Sequence, residues 1–66
     1  MQVKINGKSE EVLGGTVLDL LKMKKIEPQM VAVELNEKML ERDHLATTHL
    51  SEGDQVEFLF YMGGGR

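Results

Sequence analysis

The chain has no cysteine, no tryptophan and a single proline, and no apolar run in it exceeds five residues. Without cysteine it forms no disulfide, offers no thiolate to a metal and carries no thiol nucleophile. Such a composition suits a reducing compartment, and the expected location is the cytoplasm. No run approaches the roughly 20 apolar residues that span a bilayer, so no membrane association is expected. A basic-then-apolar leader is missing after Met1, so no secretory signal is expected either. Positive charge is also scarce: 8 Lys and Arg stand against 11 Asp and Glu, for a net charge of −3. That balance argues against a nucleic-acid partner. Aromatic area is limited to Phe58, Phe60 and Tyr61, too little for a base-stacking platform. All three stand beside the glycines that close the sequence.

At 66 residues the chain makes one domain near the lower size at which a core folds without staples. Residues 1–6 alternate, with Met1, Val3 and Ile5 on one side and Gln2, Lys4 and Asn6 on the other. Period two marks a half-buried strand. Asn6-Gly7 then supplies a two-residue type I′ turn, where both positions need positive φ. Residues 8–13 are expected to return as the second strand, with Val12 in the core. Gly14-Gly15 ends that strand, and Thr16 with Asp19 three residues on makes a capping-box signature. Val17, Leu20 and Leu21 fall at i, i+3 and i+4 and predict the buried stripe of a helix, with Leu18 at its margin. Lys22, Lys24 and Lys25 gather at its end, where cations suit the exposed carbonyls. Pro28 forbids continuation.

A third strand is expected at residues 31–35, with Val31, Val33 and Leu35 inward. Asn36-Glu37-Lys38 turns the chain into a short strand at Met39 and Leu40. Residues 42–50 read as a loop with a helical turn near 43–46, anchored by Leu45 and Leu50. A turn at 51–54 leads to a last strand over 55–62, in which Val56, Phe58 and Phe60 share the core face. Leu59 and Tyr61 then fall on the outer face. Strand, strand, helix, strand, short strand, strand gives an α+β domain: a mixed sheet packed on one helix. The order ββαββ with a short extra strand is that of the ubiquitin-like β-grasp fold, whose first and last strands run parallel at the centre. The expected domain is residues 1–62, followed by a flexible glycine tail at 63–66.

Chemistry-bearing groups are few. Gly14-Gly15-Thr16 lacks the spacing and the lysine of a phosphate-binding loop. His44 and His49 are five apart and have no cysteine to join them, unlike a zinc site. Glu10 and Glu11 are neighbours in a strand and point to opposite faces. No catalytic residue and no metal site are expected in this chain. What stands out is Gly63-Gly64-Gly65-Arg66, a slim and conformationally free end able to thread a main-chain carboxyl group into a narrow cleft. The exposed pair Leu59 and Tyr61, with Met62, makes a candidate docking patch beside it. Glu34, Glu37 and Glu57 would border this patch and favour a basic partner.

These pieces together resemble the ThiS-type sulfur carriers, and more distantly the MoaD type. The resemblance rests on Asn6-Gly7, Gly15-Thr16-Val17 with Leu20-Leu21, and Val31-Ala32-Val33-Glu34-Leu35-Asn36. Arg42, Leu50, Gly53-Asp54-Gln55-Val56-Glu57 and the closing glycines complete it. The resemblance implies a protein co-substrate, not an enzyme, with no cofactor bound by this chain. A ThiF-type adenylyltransferase would use ATP and magnesium to adenylate the C-terminal glycine. A cysteine desulfurase or another donor would supply the sulfur of a thiocarboxylate, for delivery to the thiazole synthase ThiG in thiamin biosynthesis. Family members that work directly end in Gly-Gly, whereas Arg66 follows Gly65 here. The implied site is therefore Gly65 after a C-terminal peptidase removes Arg66, or Gly64 in a shorter form. Carriers serving cysteine, methionine or molybdopterin synthesis, and ubiquitin-like protein modifiers, share this pattern and are the alternatives.

Overall fold

The computed structural model describes residues 1–61. Met62 and the expected tail residues lie outside them. Five strands form one mixed sheet in the order β2-β1-β5-β3-β4. They are β1 (Gln2–Ile5), β2 (Lys8–Glu11), β3 (Val31–Leu35), β4 (Lys38–Leu40) and β5 (Gln55–Phe60). The helix α1 (Val17–Met23) crosses from β2 to β3, and short 3₁₀ turns occupy Pro28–Met30 and Arg42–His44. β1 and β5 pair in parallel at the centre, and the other three pairings are antiparallel. This is the ubiquitin-like β-grasp arrangement expected from the element order.

The local chemistry follows the residue types. Asn6 and Gly7 both have positive φ, 50° and 87°, as a two-residue I′ turn requires. The Thr16 hydroxyl accepts a hydrogen bond from the Asp19 amide, and the Asp19 carboxylate accepts one from the Thr16 amide. At the other end of α1 the Ile26 amide donates to the Leu21 carbonyl and the Lys25 amide to that of Lys22. This is a Schellman closure with Lys25 at φ 60° in the place glycine usually takes. Only Lys22 of the three expected lysines lies in the last helical turn. Lys24 instead pairs with Glu10 of β2 at 2.9 Å.

Val17, Leu20 and Leu21 bury the helical stripe against Val3, Ile5, Val33, Val56 and Phe58 of the sheet. Leu45 and Leu50, the expected loop anchors, close the same core. Three expectations need correction. The second strand stops at Glu11, and Leu13 is fully solvated beyond it. The turn after β4 is a 3₁₀ turn at Arg42–His44, starting before the expected 43–46. Phe60 has the parity of Val56 and Phe58 yet is 55% exposed. A helix of seven residues is only about 10 Å long, too short to cover all of β5, so its last core-parity residue extends past the cover.

Candidate functional site

The end of β5 is held on one side and bare on the other. On the β3 side, Val31 stands opposite Phe60, Ala32 opposite Leu59 and Glu34 opposite Glu57. The Tyr61 amide continues this ladder by donating to the Met30 carbonyl at 3.1 Å. On the β1 side, pairing ends early, at Lys4 with Gln55 and Ile5 with Val56. There Asn6 takes over: its amide donates to the Val56 carbonyl, and its side-chain Oδ1 accepts from the Phe58 amide at 2.8 Å. The strand is thus fixed up to Tyr61, four residues before Gly65.

Leu59 and Tyr61 are exposed, 46% and 55%, as expected of the outer face. The register adds neighbours that strand parity alone did not supply. Ala32 lies directly across from Leu59, Met30 is joined to Tyr61 through the main chain, and Met39 of β4 stands directly opposite Glu34 of β3. Met30 and Met39 are each about half exposed. Together these side chains give an apolar area at the sheet end from which residues 62–66 continue. Glu34 and Glu57 face one another across the strand pair at its border, while Glu37 occupies the β3–β4 turn at φ 72°. Phe60 shares the opposite face with Phe58, ring edge to face at 6.5 Å. Of the residues expected at the site, the structure brings Leu59 and Tyr61 together. Met62, Gly63, Gly64 and Gly65 fall outside the described residues.

A groove of about 450 Å³ opens beside this area, between β3, β4 and the Arg42–His44 turn. Tyr61, Ala32 and Met39 reach its wall, as do Pro28, Leu45 and Arg42. Residue parity gave no sign of it, because it forms where β4 stops short of the end of β3. His44 and His49 are both exposed, and no group of three His, Asp or Glu side chains suited to a metal occurs among the described residues. No helix among them is long and apolar enough to cross a membrane.

Residues 3–65 match the sequence profile of the ThiS family. The chain belongs to that family. Its fold is close to the crystal structure of the thiamine biosynthesis protein ThiS from Geobacter metallireducens, at 40% identity and a TM-score of 0.85. That match covers 98% of this chain and all of the other. The solution structure of a thiamine biosynthesis protein from the same organism gives a TM-score of 0.83, covering 100% of this chain and 90% of that one. A thiazole synthase of Magnetococcus marinus is 34% identical over 67 aligned positions. The alignment takes in the whole of this ThiS-family chain, which spans only 21% of that relative's length.

Proposed function

We propose that this ThiS-family chain carries sulfur for thiazole formation in thiamin biosynthesis, as a protein co-substrate whose reactive atom is the main-chain carboxyl of Gly65. The observation that carries the reading is the family match, which runs through the glycines and ends at Gly65. The fixed β5 and the apolar area at its end support it, since they offer a partner a rigid grip next to the reacting end. The thiazole synthase relative supports the destination: a segment like this chain occurs within a protein of that name.

The chemistry asks little of this chain's side chains. A carboxylate is a poor electrophile until it bears a leaving group. A ThiF-type adenylyltransferase, with its ATP and magnesium, joins the Gly65 carboxylate to the α-phosphorus and releases pyrophosphate. A sulfide-level nucleophile then attacks the carbonyl carbon, AMP departs, and a thiocarboxylate remains. Where the donor is a desulfurase persulfide, the attack leaves an acyl disulfide, and a thiol must reduce it, taking up the donor's sulfur in a disulfide, to free the thiocarboxylate. The glycines lack side chains, so they pass through a cleft built for a nucleotide. Adenylation at Gly65 needs a form that ends there, which a C-terminal peptidase acting on Arg66 would supply. The domain division at residue 62, with 63–66 as the tail, belongs to this proposal, as do the cytoplasmic location and the delivery to ThiG.

The test is adenylation of three forms by a ThiF-type enzyme with ATP and magnesium, followed by intact mass. The chain ending at Gly65 gains the adenylate. The form ending in Arg66 and the form lacking Gly64-Gly65 do not. Equal reaction of all three would overturn the assignment.

A further inference from the structure

Successive residues of an antiparallel strand turn their N–H and C=O to opposite neighbours. The Asn36 amide donates to the Gln55 carbonyl and the Tyr61 amide to that of Met30, so the even-numbered residues of β3 face β5. Val31, Val33 and Leu35 therefore face the β4 side. Val33 and Leu35 meet Leu40 and Lys38 there, but β4 ends at Leu40 and the chain turns away. Val31 is left with an N–H and a C=O aimed where the second residue past Leu40 would stand if β4 continued. No described residue bonds to either group, although Val31 is only 5% exposed. Both groups border the open groove, so solvent or the main chain of a partner is left to complete them. The hollow on that side is the groove already described, with Tyr61 in its wall.

We propose that the groove receives an extended, apolar segment of the adenylyltransferase, which adds to β3 beyond the end of β4 and bonds the Val31 N–H and C=O. Strand addition of this kind draws affinity from main-chain bonds and specificity from side-chain pockets. The length of the remaining chain selects the occupant. Gly65 lies four residues past Tyr61, a reach of at most about 14 Å. An active site that takes the Gly65 carboxyl must then press against the end of the sheet where the groove opens. This inference rests on the carrier reading, and adds to it the main-chain contact through which the enzyme holds the domain.

Amide exchange of the isotope-labelled chain ending at Gly65 tests it, free and saturated with a ThiF-type adenylyltransferase, ATP and magnesium. The Val31 amide is expected to slow at least tenfold in the complex, while that of Val33, already in the β4 ladder, changes little. Arg42→Trp, at an exposed position on the groove wall, is expected to weaken the complex at least tenfold and leave the domain folded. If the enzyme binds and adenylates the chain with Val31 exchange unchanged, the groove proposal is overturned and the carrier reading stands. If the chain ending at Gly65 is never adenylated, the carrier reading falls and this one with it. Protection of Val31 that rises with chain concentration in the absence of enzyme would instead assign the groove to a second copy, against the proposal.

Discussion

Asn6 and Phe58 are 52 residues apart, yet the Asn6 Oδ1 accepts the Phe58 amide at 2.8 Å. The same asparagine sits at φ 50° in the first turn. It therefore performs two tasks: it adopts a backbone conformation that most residues avoid, and it supplies the acceptor that β1 no longer can. Leaving a partly buried amide unpaired costs about 1–3 kcal/mol. Asn6→Gly keeps the turn and loses the acceptor, so a loss of about 1–2 kcal/mol is expected in urea unfolding. Asn6→Ala adds the left-handed penalty of roughly 1 kcal/mol. In both variants the Phe58 amide should exchange faster while that of Tyr61, bonded to Met30, stays slow.

Lys25 and Glu37 occupy left-handed positions, φ 60° and 72°, without the side-chain chemistry that helps asparagine there. Glycine removes the strain of roughly 1–2 kcal/mol but restores backbone entropy to the unfolded chain, about 0.5–1 kcal/mol. Lys25→Gly and Glu37→Gly are each expected to stabilise the domain, by about 0.5–1 kcal/mol, measured as a higher urea midpoint with unchanged slope. A lower midpoint would mean that the long side chains make contacts that outweigh the strain.

Much of this architecture could be read from the residues because short-range rules coincide with the fold. Asn6-Gly7 demands a tight turn, the Thr16–Asp19 spacing demands a cap, and the alternation in β1, β3 and β5 assigns faces. Lys25 was not legible as a helix terminus, because a lysine in that position carries no signal of positive φ. Phe60 was misplaced for a different reason. Parity tells which face a side chain takes, but cover depends on the length of the helix lying across that face. Leu59 and Tyr61 were legible as outer-face residues, whereas Met30, Ala32 and Met39 join them only through register and strand order. The groove depends on where β4 breaks off, and no local pattern announces that.

The Asp19 carboxylate is held below the ordinary aspartate range, chiefly by the Thr16 amide and then by the Thr16 hydroxyl. A group whose folded value is depressed favours the folded state when ionised. That contribution is present above the unfolded aspartate value and fades as pH falls through the lower, folded one. Wild type should therefore lose ground relative to Asp19→Asn as the solution is acidified from about pH 6 to pH 2. Urea midpoints of the two proteins across that range give the comparison. A constant gap would show that the capping box contributes no proton linkage.

Leu59 on the last strand and Tyr61 just past its end are exposed and stand before the glycines, so their replacement separates docking from folding. Burying one large side chain is worth about 1.5–3 kcal/mol, and placing a carboxylate in an apolar interface adds a desolvation cost. Leu59→Asp and Tyr61→Asp should each weaken the complex with a ThiF-type adenylyltransferase by at least about tenfold, given 1.4 kcal/mol per decade of affinity. Neither residue is in the buried core, so the urea midpoint should fall by less than for Leu21→Ala. That variant removes a side chain with no exposed surface and should cost about 2–5 kcal/mol. Binding titrations and unfolding curves on the same three proteins decide the matter. Unchanged affinity in both aspartate variants would move the enzyme's grip away from this face. Unfolding of either would show that the outer face carries stability, and the end of β5 would then serve the fold before it serves a partner.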